Sequence, residues 1–294
     1  MKKLIALMLT LAMALSLAAC GSSGSSGTAA ASSGAASSEA AASSATSSAA
    51  AVSGEAEAAA DSDLAYVKEN GKLVVGITDF EPMDYKDENG EWIGFDADLA
   101  RKFAENLGVE AEFVEIDWDN KALELEGKSI DCVWNGMTLT DEVLNAMECS
   151  EAYLNNAQVV VVKSDVADQY QTVDSLADLT FAVEAGSAGK TEAEANGLSF
   201  TEVQNQAAAL MEVAAGTSDA AIIDSLMAAA MVGEGTSYAD MTYTVGLNSE
   251  EYGVGFRKGS DLAAALDEFL ESCKADGTLE QVAETYKVQA ALVQ

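Results

Sequence analysis

The sequence lacks histidine and is poor in positive charge. It has 15 lysines and arginines against 49 aspartates and glutamates, which gives a formal net charge of −34. Nucleic acid is therefore not expected as a partner, because proteins bind its phosphates with lysine and arginine. The acid excess is typical of a soluble protein outside a cell. Without histidine the chain also lacks the commonest general base, and no nucleophile–base pair stands out.

The N-terminus has the pattern of a secretion signal. Lys2 and Lys3 precede an apolar run over residues 4–19, and Cys20 follows. The run is shorter than the roughly 20 residues that span a bilayer, and it ends in small residues before the cysteine, as lipoprotein signals do. We predict a signal peptide over residues 1–19 and a lipidated Cys20, which anchors the protein to the outer face of the bacterial cell membrane. An ordinary signal peptide with a chance cysteine is the alternative.

Residues 20–62 follow as a Ser/Ala/Gly/Glu-rich segment without aromatic residues. Such a composition cannot bury enough apolar surface to offset the entropy lost on ordering. The composition predicts a disordered tether that gives the anchored protein reach. No later segment of the sequence is long and apolar enough to cross a membrane.

Cysteine is scarce beyond Cys20, since only Cys132, Cys149 and Cys273 remain. Zinc sites are built from cysteine and histidine, so neither a metal nor a cofactor is expected. Three thiols are an odd number for a secreted chain. A Cys132–Cys149 disulfide is one alternative, and buried free thiols are the favoured interpretation.

Short apolar strands alternate with amphipathic helices over the last 230 or so residues, which predicts an α/β fold. A strand at Leu73–Ile77 is followed by a helix with apolar residues at every fourth position, closed by Gly108. Val159–Val162 is a continuous β-branched run, as expected of a buried strand. The pattern then restarts with strands at 181–183, 199–203 and 220–223 and helices from Lys190, over 206–215, 262–275 and 279–286.

An ordered series of motifs resembles the family 3 extracellular solute-binding proteins, the amino-acid binders of ABC importers. The series covers the chain from residue 66 to its end. It consists of Gly71-Lys72-Leu73-Val74-Val75-Gly76, Phe80-Glu81-Pro82-Met83, Gly94-Phe95-Asp96-Ala97-Asp98-Leu99-Ala100, Gly136-Met137-Thr138-Leu139-Thr140-Asp141-Glu142, Ser150-Glu151-Ala152-Tyr153, Gly186-Ser187-Ala188-Gly189 and Asp219-Ala220-Ala221-Ile222-Ile223-Asp224.

The resemblance implies a type II periplasmic-binding fold, with two α/β lobes joined by two crossover strands and closing on a ligand. Residues 63–157 and 253–294 are expected to form the first lobe, and residues 158–252 the second. The expected partners are a small polar ligand, an amino acid or related amine, and the permease subunits of an ABC importer. The protein is expected to be a monomer.

The resemblance also places ligand-binding residues in the cleft. Phe80 and Trp118 match aromatic residues that sandwich the ligand, and Asp224 matches the acid that takes its ammonium group. Gly136 and Thr138 match a stretch that holds the α-groups. The full set of expected ligand-binding residues is Asp79, Phe80, Trp118, Asn135, Gly136, Thr138, Glu184, Gly186, Ser187, Ala188 and Asp224.

Each of these assignments has a structural alternative. Phe80 and Trp118 could be ordinary core aromatics. Asp224 could cap the helix that follows it. Gly186 and Gly189 could merely shape a turn, instead of opening onto a helix N-terminus that attracts a carboxylate.

Val143 departs from the family pattern, which has a carboxylate-binding arginine at this position. Ala188 also stands where a threonine is common. Lys121 and Lys190 could substitute as point charges, or they could be solvated surface lysines.

Acidic residues outnumber basic ones around the expected cleft, which favours a cationic ligand. Phe80, Trp118 and Trp134 could add cation–π attraction. A generally acidic surface is the alternative. The acidic residues concerned are Asp79, Glu81, Asp117, Asp119, Glu184 and Asp224.

Three classes of function fit the sequence. The first is a non-enzymatic binding protein for an ABC importer, which we favour. The second is a receptor that senses the solute without transport. The third is a dehydratase-like enzyme on the same fold, in which Glu184 acts as a general acid.

Overall fold

The computed structural model describes residues 62–294. The predicted signal peptide, the lipidated Cys20 and nearly all of the tether lie outside the described residues. Ser62, the last residue of the predicted tether, caps the first helix, because its hydroxyl accepts a hydrogen bond from the N–H of Ala65 at 3.0 Å. Within the described part, no helix is both long and apolar enough to span a membrane.

Strands and helices alternate along the described chain, as the apolar periodicity predicts. The strands are β1 (Lys72–Ile77), β2 (Tyr85–Lys86), β3 (Trp92–Ile93), β4 (Glu110–Glu115), β5 (Cys132–Thr138), β6 (Glu148–Cys149), β7 (Leu154–Asn156), β8 (Gln158–Lys163), β9 (Thr180–Glu184), β10 (Ser199–Val203), β11 (Ala220–Asp224), β12 (Met241–Gly246) and β13 (Glu250–Phe256). The helices are α1 (Asp63–Asn70), α2 (Phe95–Leu107), α3 (Lys121–Glu126), α4 (Asp141–Ala146), α5 (Ala188–Ala195), α6 (Gln206–Ala215), α7 (Ser225–Met231), α8 (Leu262–Asp276) and α9 (Thr278–Tyr286).

Two separate sheets form two lobes. The first lobe contains the order β4-β1-β5-β13-β6, with β7 paired to β13. In it β1 runs parallel to β4 and β5, whereas β13 is antiparallel to β5. The second lobe contains the order β10-β9-β11-β8-β12, in which β9 is parallel to β10 and β11. Because parallel strands end on the same edge of a sheet, each lobe presents several carboxyl strand ends together.

The chain crosses between the lobes twice. It passes from β7 to β8 through Ala157, and it returns from β12 to β13 between Gly246 and Glu250. This is the two-lobed α/β fold with two crossover strands that the resemblance implies. The expected boundary between the second lobe and the returning part of the first lobe, at residues 252 and 253, stays a prediction. Strand β13 starts at Glu250 and runs across this position.

Helix α2 shows how local sequence builds the first lobe. Its apolar residues recur every three or four positions, so Phe95, Leu99 and Phe103 are all fully buried on one face. Gly108 ends the helix with a left-handed φ of 79°, which glycine adopts without steric cost.

The three cysteines within residues 62–294 are free thiols. Cys132 and Cys273 are buried, and Cys149 is half-buried. The structure has the unpaired arrangement that we favour, although Cys149 is less buried than expected. Burial raises the pKa of the Cys132 thiol well above its usual value, which makes it unreactive.

Candidate ligand-binding site

A cavity of about 260 Å³ lies between the two lobes. It is slightly smaller than the roughly 300–1,000 Å³ of pockets that hold drug-sized ligands, so it suits a small metabolite. Asp79 is exposed and does not line it. The predicted site residues that do line it are Phe80, Trp118, Asn135, Gly136, Thr138, Glu184, Gly186, Ser187, Ala188 and Asp224.

Strand ends bring these residues together. In the second lobe, Glu184 is the last residue of β9 and Asp224 is the last residue of the neighbouring parallel strand β11. In the first lobe, Thr138 is the last residue of β5. The cavity therefore lies where open α/β sheets bind ligands, outside the carboxyl ends of their strands.

The two lobes contact each other at the mouth of the cavity. The ammonium group of Lys121, in the first lobe, donates hydrogen bonds to the carbonyls of Trp118 at 3.1 Å and of Gly186, in the second lobe, at 2.9 Å. A Cβ added to Gly186 would lie 2.7 Å from the Cα of Asp119. The structure thus shows a closed cleft, and only glycine fits at this point of closure.

Side-chain amides surround the carboxylate of Asp224. It accepts hydrogen bonds from Asn156, from Gln158 at 2.8 Å and from Gln206. It makes no capping hydrogen bond to α7, so the helix-cap alternative does not describe its contacts. Burial, followed by the charge of nearby Glu250, raises the pKa of Asp224 to about 7.

Glu184 has a different environment, although it is equally buried at 3% exposure. Its Oε1 has no hydrogen-bond partner within residues 62–294. Burial, followed by the charge of Asp224, raises the pKa of Glu184 to about 8, and the charge of Lys121 offsets part of this rise. With a pKa of about 8, the carboxyl group is mostly protonated at pH 7.

The first-lobe wall uses most of its polar groups internally. The side chain of Asn135 accepts from the N–H and hydroxyl of Thr78 and donates to the carboxylate of Asp84 at 2.7 Å. The N–H of Gly136 donates to the carboxylate of Asp96 at 2.6 Å. Neither of these two donors is left for a ligand, so Asn135 and Gly136 can contribute only their carbonyl groups and shape.

Thr138 is also engaged, because its hydroxyl donates to Glu250 at 3.0 Å. In the second lobe, the hydroxyl of Ser187 accepts from the N–H of Lys190 at 3.1 Å and so caps helix α5. The other N–H groups in the first turn of α5 have no partner within the helix. This helix end at Ala188 is the part of the lining best suited to an anionic group.

Part of the cavity lining is apolar. Val143, at the position where the resembling family has an arginine, lines the cavity together with Met137, Ala146 and Met147. Phe80 packs edge-on against Tyr252 with ring centroids 6.5 Å apart, and Phe80 and Trp118 both line the cavity while remaining under 10% exposed. Both side chains therefore belong to the buried core and also line the cavity.

Several expected cleft residues lie elsewhere. Glu81 and Asp117 do not line the cavity, and Trp134 is fully buried in the core against Phe103 and Tyr153, so it offers no cation–π contact to a ligand. Lys121 and Lys190 do line the cavity.

Other lining residues are not among the predicted ones. Glu142, Glu194 and Gln206 line the cavity. The sequence offers one signal for Gln206: it directly follows Asn205, which caps helix α6, so it begins that helix. Its contact with Asp224 joins residues 18 positions apart, which no local pattern reveals.

Sequence and structure comparisons agree on one family. Residues 73–289 match the bacterial extracellular solute-binding proteins, family 3. The chain belongs to this family.

Among curated family 3 relatives, the L-cystine-binding protein TcyJ of Escherichia coli K12 is 28% identical over 75% of this chain and 84% of the relative. The arginine-binding extracellular protein ArtP of Bacillus subtilis 168 is 31% identical over 72% and 84%. An ABC uptake transporter substrate-binding protein from Streptococcus pneumoniae, solved with bound histidine, superposes with a TM-score of 0.74 at 28% identity, over 80% of this chain and all of that one. The fold is thus the type II periplasmic-binding fold.

Proposed function

We propose that this family 3 chain is the substrate-binding component of an ABC importer and that it captures an amino acid between its lobes. One observation carries the proposal: the cavity is lined by the N-terminal end of helix α5 at Ala188 and by buried carboxyl groups at Glu184 and Asp224. An amino acid has the complementary charges, a carboxylate for the helix end and an ammonium for Asp224. Phe80 and Trp118 then pack against its side chain.

A thermal-shift screen of the 20 amino acids on residues 62–294 tests this proposal. A ligand at about 100 times its Kd should stabilise the domain by roughly 2.7 kcal/mol. Hits should be confined to amino acids, with amines and short peptides as comparison compounds. If no amino acid shifts the melting temperature, the proposed function is wrong.

Val143 gives a second test, aimed at the carboxylate subsite. Since an arginine can bind a carboxylate through two parallel hydrogen bonds, Val143→Arg should raise the affinity for the best amino acid of the screen. If the wild type already binds it tightly and Val143→Arg weakens it, the helix end and Lys190 supply the needed positive charge.

The proposal includes delivery and anchoring. The chain would pass its ligand to permease subunits as a monomer, held at the outer face of the bacterial cell membrane through lipidated Cys20. Cys20→Ser should release the protein from the membrane fraction into the medium. Loss of solute uptake in a strain that lacks the gene would distinguish an importer component from a receptor that only senses the solute.

The enzymatic alternative depends on Glu184, whose raised pKa of about 8 is suited to a general acid. The three relatives named above are binding proteins, and we propose that this chain likewise releases its ligand unchanged. Analysis of the screen hits by mass spectrometry after incubation with the protein tests this, since a product would favour the enzyme.

A further inference from the structure

The acceptor capacity of the cavity is distributed unevenly between its two buried carboxyl groups. A carboxylate has about four lone-pair sites. Asp224 uses three of them for Asn156, Gln158 and Gln206. Glu184 Oε1, by contrast, has no partner among the described residues. Most of the free acceptor capacity therefore lies on Glu184.

A buried polar atom without a partner is uncommon, since more than about 90% of such groups are hydrogen-bonded. Glu184 is 3% exposed, ends β9 and lines the cavity. The carboxyl group of Glu184, which lines the cavity, therefore has acceptor capacity to offer to a ligand that enters it. A carboxyl group at this position accepts best from a positively charged donor.

The charge balance of the lining points the same way. Of its two lysines, Lys121 donates to two backbone carbonyls and offsets only part of the pKa rise of Glu184, and Lys190 lies 3.2 Å from the carboxylate of Glu202. The chain's two arginines, both in the described part, do not line the cavity. The carboxyl groups that line it are those of Asp119, Glu142, Glu184, Glu194 and Asp224.

We propose that Glu184 is the specificity-determining residue of the cavity. It accepts hydrogen bonds from a positively charged group on the ligand's side chain, so the ligand is a basic amino acid. This inference rests on the proposed function, in which Asp224 and the α5 end hold the ligand's α-groups. A neutral side chain would leave the Glu184 acceptor unsatisfied, and sites built to bond a donor reject analogues that lack it.

Calorimetric titration with pairs of similarly shaped amino acids tests the proposal on residues 62–294. The probes are L-arginine with L-citrulline, and L-lysine with L-norleucine, in which the second member of each pair has an uncharged side chain. We expect at least one cationic member to bind about 30-fold or more tightly than its neutral partner, because breaking a buried charge pair typically costs that much.

Variants assign the preference to this residue. Glu184→Gln should lower the affinity for the preferred cationic amino acid by about 30-fold or more and change that for its neutral partner less than about threefold. Glu184→Met provides a second substitution of similar length, and melting curves check that both fold. Glu234→Gln removes the same charge from an exposed position of the second lobe and should change neither affinity.

The outcomes separate the two proposals. If neither cationic member is preferred over its partner, or if both Glu184 variants keep the preference, the role of Glu184 is wrong while amino-acid binding stands. If no amino acid of either kind binds, the proposed function fails and this inference fails with it.

Discussion

Each lobe buries two carboxyl groups beside the cleft, but only the second lobe exposes its pair to the cavity. Asp84 and Asp96 in the first lobe are fully buried and do not line the cavity, whereas Glu184 and Asp224 do. Burial raises the pKa of all four. The first pair nevertheless has a structural task, because Asp96 and Asp84 hold the backbone of Gly136 and the side chain of Asn135.

The comparison shows that burial and a raised pKa do not by themselves identify a ligand site. Asp84 Oδ1 has no partner within the described residues, just like Glu184 Oε1. What distinguishes Glu184 is access, since its carboxyl group lines a cavity that a ligand can fill. Substitutions in the first pair should therefore change stability, and substitutions in the second pair should change binding.

The largest effect should come from Asp96→Ala. It leaves the N–H of Gly136 and the hydroxyl of Tyr153, which donates at 2.9 Å, without an acceptor. Each unsatisfied buried group costs about 1–3 kcal/mol, so unfolding free energy should fall by about 2–6 kcal/mol in urea titrations. The Kd of the best amino acid, measured well below the melting temperature, should change less than in Asp224→Ala. A larger change in Kd than in Asp224→Ala would contradict the distinction between a structural first-lobe pair and a ligand-binding second-lobe pair.

Asp224→Ala should weaken amino-acid binding about 30-fold or more, since truncating one partner of a buried charge pair costs about 2–5 kcal/mol. Calorimetry with the best hit of the screen measures this, and a melting curve accompanies it because three amides lose their acceptor. A lowered melting temperature with unchanged affinity would show that Asp224 belongs with Asp96 as a structural group.

Glu184→Gln should stabilise the ligand-free domain at high pH. The folded-state pKa of about 8 lies above the ordinary value of 4.5, so the stability that the protonated group contributes is full below pH 4.5 and is lost as pH rises through 8. Glutamine avoids this loss, which is on the order of 3 kcal/mol at neutral pH. Melting curves at pH 4.5 and pH 8.5 should coincide for the two proteins at the lower pH and separate at the higher one. Equal melting temperatures at both would argue against a strongly raised pKa.

Gly186→Ala should interfere with closure. The new Cβ would meet the Cα of Asp119 at 2.7 Å, so affinity should fall about tenfold, equivalent to about 1.4 kcal/mol. Gly197 is a matched control in the same lobe, because its φ of 64° resembles the 68° of Gly186 but an added Cβ meets nothing within 4 Å. Gly197→Ala should cost similar backbone strain without changing affinity. Equal affinities for the two variants would show that the contact does not limit closure.

Much of the fold could be predicted from local sequence. β-branched runs such as Val159–Val162 predict buried strands, and the apolar spacing from Phe95 predicts α2 together with its end at Gly108. The return strand β13 is not predicted, because Gly253 and Gly255 weaken any strand pattern. Tertiary contacts explain these glycines: an added Cβ would lie 2.7 Å from Leu139 and from Met147, respectively.

The site could be predicted only in part. Resemblance to the family places Phe80, Glu184 and Asp224 in the cleft, and the cavity brings them together. The amides around Asp224 come from three elements, β7, β8 and α6, and Gln158 is separated from it by 66 positions. Such contacts follow from the pairing of β8 with β11, which no single segment encodes.

Proton release on binding tests the central claim most directly. L-arginine, or L-lysine if it binds more tightly, is titrated into residues 62–294 at pH 7 in two buffers of different ionisation enthalpy. Glu184 is then mostly protonated and must ionise to pair with a cationic side chain, so the wild type should release about one proton per ligand more than Glu184→Gln does. Two nearby groups with shifted pKa values, Asp224 and Lys121, are present in both proteins. Equal proton release by the two proteins would contradict the claim that Glu184 meets the charge of the ligand.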